Sequence, residues 1–335
     1  MFTVKIQLLI ALCDSDYVEH LSQVLIEKKS DVFEVSVCSS PKRLPELLTG
    51  QRFDVALLDD AMAEGAELSK PGLCIYLWDG SAEPVEAVRQ LPRIHRYQRI
   101  SSIVGEIVEQ YAASQGPKER FGARRARITA VWSPAGGSGK TTVALACAAQ
   151  RASGGARAAY LDLEPFSASS VYFKEPGKSI STVFEKLDGD VALMLQSIQM
   201  EDSGSGIIYF GCPRNYDDIN ILTEDDISAL LEGCAVNYDE LVVDLGSSSS
   251  PLVCRTLELA DQVLLVADSS AVCRAKCGQF RTQHSLYADL EGKLTVVANR
   301  GARGVAAQGE ACVSLPRVET DQPAAVYRTL AQYLK

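Results

Sequence analysis

The chain has 335 residues, 47% hydrophobic and 23% charged, which is enough apolar material for packed cores and enough length for two domains of ordinary size. Its formal net charge is −10, with 16 Lys+Arg against 18 Asp+Glu in residues 1–127 and 17 against 25 in residues 128–335. The acidic C-terminal half argues against nonspecific nucleic-acid binding, which needs a cationic face, and no apolar run reaches the ~18 residues of a membrane span.

The ten cysteines stand mostly alone in apolar runs, as at Cys13, Cys38, Cys74 and Cys147, and read as small buried hydrophobes of a reducing cytoplasm. The opening "MFTVKIQLLIALCDSD" is too short for a secretion signal and ends in acids. Cys273 and Cys277 can share a helix face, but no second pair stands at zinc-site spacing.

Along residues 1–112, "IQLLIALC" predicts a strand and "DYVEHLSQVLIEKK" a helix, with Val18, Leu21, Val24 and Leu25 on one side. "FEVSVCS" alternates as a strand, "PKRLPELLTG" is a short helix closed by Gly50, and "FDVALLD" and "LCIYLWDG" are strands. "SSIVGEIVEQYAA" is a helix. Residues 113–126 are polar, contain Gly-Pro and carry Lys118, Arg120, Arg124 and Arg125, with Arg127 just beyond, so they read as a basic, solvated linker.

From 127 to 335 the alternation resumes. Strands are expected at "RITAVWS", "RAAYLDLE", "GIIYFGC", "ELVVDLG", "QVLLVAD" and "LTVVANR". Helices are expected at "TTVALACAAQRA", "SISTVFEKL", "VALMLQSIQ", "DDISALLEGCAV" and "PLVCRTLELA", over about 271–290, and at "PAAVYRTLAQYLK". Both halves therefore predict an α/β fold, each a doubly wound parallel sheet covered on two faces. The last helix has an apolar side of Val326, Tyr327, Leu330 and Leu334 but only Arg328 and Lys335 as cations, which suits packing on the domain better than a membrane surface.

Between the first strand and first helix of this half stands "SPAGGSGKTT". Gly136, Gly137 and Gly139 let backbone amides turn toward a phosphate, and the helix N-terminus behind them adds a favourable dipole. Ser138 and Thr142 complete the loop; Lys140 would neutralise the β- and γ-phosphates, and the Thr141 hydroxyl would ligate Mg²⁺. Pro134 stands where the generic phosphate loop has glycine, but a variant form, [K/R]-G-G-x-G-K-[ST], makes no such demand.

The loop resembles the deviant Walker A motif of the MinD/ParA family of ATPases. "YLDLEPFSAS" is similar to that family's D-x-D switch segment, which implies Asp162 as the first acid and Glu164 in the place of the acid that orients the attacking water. "YDELVVDLG" resembles its Walker B strand, which implies that Asp244 reaches Mg²⁺ through water. "VVANRG" and "SLPRVE" resemble the adenine-side segments, implying Asn299, Arg300, Leu315 and Pro316 around the base, with Asn299 hydrogen-bonded to it. The family's signature lysine, which touches the partner subunit's phosphates, is Ala135 here, and Glu164 is one methylene longer than aspartate. ATP binding should survive these changes, with hydrolysis slow or dependent on a partner.

The front domain resembles response-regulator receivers, which have a flavodoxin-like fold. Asp59 ends an apolar strand in D-x-x-M, and Asp14 fits one place of the metal pair. Ser15 replaces the second acid, Trp78 and Asp79 stand where the switch Ser/Thr belongs, and Tyr97 and Gln98 where the lysine belongs. An atypical receiver kept for interaction or dimerisation is expected, rather than phosphorylation at Asp59.

A degenerate receiver joined to a deviant Walker ATPase is similar to the CpaE/TadZ group. That resemblance implies a homodimeric ATP- and Mg²⁺-binding localisation factor at the cell pole, serving Tad/Flp-type pilus assembly beside secretion components, in the cytoplasm or peripheral to the inner membrane. A ParA/MinD-type ATPase for DNA partitioning or division-site positioning, and a nucleotide-controlled response regulator, are the alternatives.

Overall fold

The structure, a computed structural model, describes residues 5–30, 32–64, 66–80, 84–114, 126–320 and 322–334. The chain folds as two compact units, Met1–Gly116 and Pro117–Lys335. Residues 115–125 of the expected linker, with Lys118, Arg120, Arg124 and Arg125, lie outside the described residues.

In the first unit, β1 (Ile6–Ala11), β2 (Phe33–Cys38), β3 (Val55–Leu58), β4 (Leu73–Trp78) and β5 (Arg93–His95) form one sheet in the order β2-β1-β3-β4-β5, every pair parallel. All four residues of β3 are buried, as expected of a strand covered on both faces. The helix Ser15–Lys28 buries Val18, Leu21 and Leu25 at helical spacing, and the Asp14 carboxylate accepts the Tyr17 N–H at its start. Strand β5 is absent from the sequence reading: it has three residues and buries only Ile94, too little to show a period. Strand order reverses between β1 and β3, whose ends pair at Ala11 and Leu58. That reversal brings the chain after β1 beside Asp59.

In the second unit, β6 (Arg127–Trp132), β7 (Ala158–Asp162), β8 (Met200–Glu201), β9 (Ile208–Tyr209), β10 (Glu240–Asp244), β11 (Gln262–Ala267), β12 (Leu294–Ala298) and β13 (Ala311–Ser314) form an eight-stranded sheet. Its order is β13-β12-β11-β6-β10-β7-β9-β8, antiparallel only at β8 and β9. The edge strands β8 and β13 are not among the expected strands, because one has two residues and the other is largely exposed.

Several helices are shorter than their patterns suggest. The one expected over 271–290 breaks into Ala271–Arg281 and His284–Leu290, where the Thr282 hydroxyl donates to the Gln279 carbonyl and the Gln283 N–H to Phe280 O. The one expected over 179–187 is a single turn, Ser181–Phe184. The last helix, Pro323–Ala331, buries Tyr327 and Leu330, and these pack with Leu334 into the cluster of Val143, Leu145 and Ala148 from the helix Lys140–Ser153. Its apolar side is therefore used inside the unit.

Candidate functional site

The carboxyl ends of three adjacent strands converge. Strand β10 pairs with both β6 and β7, so that Asp244 lies opposite Val131 on one side and Asp162 on the other. Strand β6 then runs into the glycine-rich loop, at the point where the chain order of the sheet turns outward in both directions.

The loop has a defined shape. Gly137 and Gly139 adopt φ of 72° and 93°, conformations that favour glycine. At Gly139 a Cβ would also lie 2.4 Å from Asn299 Nδ2. Asn299 Nδ2 donates to the Ser138 carbonyl at 2.8 Å, and Arg300 Nη1 donates to the Gly137 carbonyl at 3.0 Å. A peptide carbonyl and the N–H on the same plane point in opposite directions, so tying these two carbonyls turns the amides of Ser138 and Gly139 away from Asn299 and Arg300. The following helix starts at Lys140 with no side-chain cap, which leaves its first amides available to an anion. Arg300 is the one non-glycine with positive φ among the described residues (54°), a strain consistent with a side chain held in place for a purpose.

Lys140 is only 7% exposed. Its Nζ donates to Ser247 Oγ at 2.9 Å and lies 3.5 Å from Glu164 Oε1. Asp244 is fully buried; its Oδ2 accepts the Tyr160 hydroxyl at 2.9 Å, and its Oδ1 has no hydrogen-bond partner. Asp162 accepts the Glu164 N–H at 2.9 Å and the Ser167 hydroxyl at 2.5 Å, so it shapes the turn that carries Glu164. Burial pushes the Asp162 carboxyl up to about 6, against the bonds from Ser167 and the Glu164 amide. Burial, and after it the neighbouring Asp162 and Glu164, raise the Asp244 carboxyl well above the usual range, while the Thr141 and Tyr160 hydroxyls oppose the rise. Two acids held close together in a dry site are short of positive charge.

Beside the loop lies a cavity of about 460 Å³ whose wall includes Gly139, Thr142, Tyr172, Asn299, Arg300 and Pro316. Five of these six are residues marked from the sequence. No protein-family model matches the chain, and no curated protein does. Among solved structures, a ParA family ATPase from Chlorobium tepidum TLS is similar with a TM-score of 0.51 at 19% identity, covering 64% of this chain and 100% of that one. The second unit has the fold of a ParA-family ATPase. Weaker likenesses are the septum site-determining protein MinD of Pyrococcus horikoshii OT3 complexed with Mg-ADP (TM-score 0.48, 14% identity, 62% of this chain and 95% of that one) and a plasmid partition protein from Borrelia burgdorferi (0.47, 15%, 62% and 97%).

Within this ParA-type unit the structure brings Gly136, Gly137, Ser138, Gly139, Lys140, Thr141 and Thr142 into one loop and helix start, with Asp162, Glu164 and Asp244 facing it. Asn299 lines the cavity, but its amide also braces the loop and its Oδ1 accepts the Arg300 N–H at 2.9 Å, a bracing role that its resemblance to a base contact does not include. Ala135 is 2% exposed, so residue 135 packs inward. Four site residues escape the sequence reading: Tyr160, Ser167, Tyr172 and Ser247. Tyr160 looks like one more core residue of a strand, and Ser247 is one of four consecutive serines that read as a plain turn.

In the first unit, both oxygens of Asp59 are engaged, Oδ2 by the Cys13 N–H at 2.6 Å and Oδ1 by the Met62 N–H at 2.9 Å. Asp14 pairs with Arg96, and the Tyr17 amide and this guanidinium lower its carboxyl. Arg96 was not marked from the sequence. Tyr97 is 65% exposed, and Gln98 donates to Glu106 at 3.0 Å, so neither marked residue takes the part of a phosphate-pairing lysine.

Proposed function

We propose that the ParA-fold unit binds ATP with Mg²⁺, and that the protein is a nucleotide-dependent homodimer acting as a localisation and assembly factor for Tad/Flp-type pili. One observation carries the nucleotide reading: a buried lysine heads a glycine loop whose carbonyls are tied back by Asn299 and Arg300, beside a buried Asp244 oxygen that lacks a partner. A buried acceptor left unpaired costs about 1–3 kcal/mol, which suits a group completed by a ligand.

The residues present fit both groups. Lys140 and the loop amides would hold the phosphates, and Thr141 and Asp244 would hold the cation. No cluster of three His, Cys, Asp or Glu able to hold a metal occurs among the described residues. Mg²⁺ takes few protein carboxylates and completes its shell with water and phosphate oxygens, so Thr141 and Asp244 would suffice as its protein ligands. When bound, Mg²⁺ supplies charge neutralisation to the phosphates. The base and ribose would take the cavity walled by Asn299, Arg300 and Pro316.

Slow or partner-dependent hydrolysis follows from two features. Ala135 offers no cation to a developing phosphoryl charge, and Glu164 would hold a water-orienting carboxylate about 1 Å from an aspartate's position, an error that can cost ~10²-fold. The pilus role rests on the resemblance to the CpaE/TadZ group and on a receiver-like front unit kept for interaction. Signalling through Asp59 is disfavoured because both of its oxygens are engaged.

Calorimetric titration with Mg-ATP tests the nucleotide reading: saturable heat is expected, and its absence would sink it. Imaging of a fluorescent fusion tests the cellular role. Polar foci support pilus assembly, whereas nucleoid or membrane patterns would favour DNA partitioning or division-site positioning.

A further inference from the structure

The ParA-fold unit buries a phenol against Asp244 that has no part in the nucleotide reading. Tyr160, on β7, is 1% exposed, and its hydroxyl donates to Asp244 Oδ2 at 2.9 Å. The two oxygens of Asp244 are thereby made unequal: Oδ2 is held by Tyr160, while Oδ1 is buried without a hydrogen bond, the Thr141 hydroxyl acting on the carboxylate without closing one to it. A phenol ordinarily titrates near pH ~10, so it is a donor at neutral pH.

The donor is itself held by packing. The Tyr160 ring lies 6.1 Å from Phe173, which stacks on Tyr209 at 3.8 Å with an interplanar angle of 5°. A tyrosine has only two side-chain torsions, so a ring fixed in an aromatic stack delivers its oxygen to one place. Phe173 directly follows Tyr172, whose hydroxyl lies 3.4 Å from Thr142 Oγ1 at the cavity.

We propose that Tyr160 is a positioning residue for the cation site: it holds Asp244 by one oxygen so that the other, bare oxygen is presented toward a magnesium-bound water. This inference rests on the nucleotide reading given above. A tyrosine that merely fills the core would affect stability alone; one that aims Asp244 would change the magnesium dependence of nucleotide binding and leave magnesium-free binding intact.

The test uses the full chain and the β,γ-imido analogue of ATP, titrated calorimetrically with Mg²⁺ and with EDTA. Four proteins are compared: the natural one, Tyr160→Phe, Asp244→Ala and the double variant. Tyr160→Phe is expected to lose roughly 10-fold in the magnesium-dependent gain of affinity, as outer-shell partners of a metal ligand do, with EDTA binding changed by less than about twofold. In the Asp244→Ala background the same substitution should add nothing. An unchanged magnesium gain in Tyr160→Phe, an equal loss with EDTA, or full additivity with Asp244→Ala would each overturn the proposal. If Tyr160→Phe fails to fold while the double variant folds, the Tyr160–Asp244 bond serves stability and the positioning proposal falls. If both fail, Tyr160 acts through packing and the proposal falls. Absence of any binding by the natural protein would overturn the nucleotide reading itself, and this inference with it.

Discussion

Lys140 and Glu164 face each other at 3.5 Å, with the lysine side chain almost wholly enclosed and the glutamate three-quarters enclosed. The residue proposed for the phosphates and the residue proposed for the attacking water thus lie within ion-pair reach of each other. In the proposed reading, a phosphate would compete with Glu164 for the Lys140 ammonium. Glu164→Gln should therefore tighten nucleotide binding by up to about 5-fold, the worth of a partly exposed ion pair, while lowering turnover at least ~10-fold. Calorimetry and phosphate release measured on the same preparation check both directions.

Lys140→Ala tests the other side of the pair. Loss of a charge-assisted contact to phosphate should weaken ATP binding roughly 10- to 100-fold. Stability should change little, because Ser247 is partly exposed and Glu164 stays in reach of water. Unchanged affinity would remove Lys140 from its assigned role.

The loop brace makes a separate prediction. Gly139→Ala places a Cβ 2.4 Å from Asn299 Nδ2 at a φ of 93°, so the substitution must disturb both loop and brace. A loss of about 1–3 kcal/mol in stability and of most nucleotide affinity is expected. Asn299→Ala should cost about 1–2 kcal/mol, because it leaves the Ser138 carbonyl without its partner. Chemical denaturation with and without nucleotide measures both.

Acidity supplies another test. The Asp162 carboxyl has an ordinary value of 3.8 and is raised to about 6 in the fold. Between these values the folded chain binds the proton that the unfolded chain has released. Stability from this group is therefore greatest below about pH 4 and falls as pH rises to about 6, by on the order of 2–3 kcal/mol. Nucleotide-free protein should melt progressively lower across that window, Asp162→Asn should flatten the trend, and Mg-ATP should raise the melting temperature most above it. Thermal melts from pH 4 to 7 decide the matter.

Much of this was legible because it is local. The glycine spacing of 136–139 followed by Lys140 needs no distant residue to be recognised, since backbone shape and helix start lie within ten positions. The buried strands β1, β3, β6, β10, β11 and β12 were legible because parallel strands covered on both faces must be continuously apolar. Strands β5 and β8 were not, because three and two residues carry no period to read, nor was β13, which is left largely exposed.

The sequence by itself determined the phosphate loop, the alternation that builds two parallel sheets, and the acids that end β7 and β10. Tertiary structure alone decided which groups those residues meet. Ser247 reaches Lys140 across 107 positions, Tyr160 reaches Asp244 across 84, and Arg96 reaches Asp14 across 82. Such partners are selected by strand order and by burial, which force each enclosed polar group to find whatever donor or acceptor the fold has carried to it.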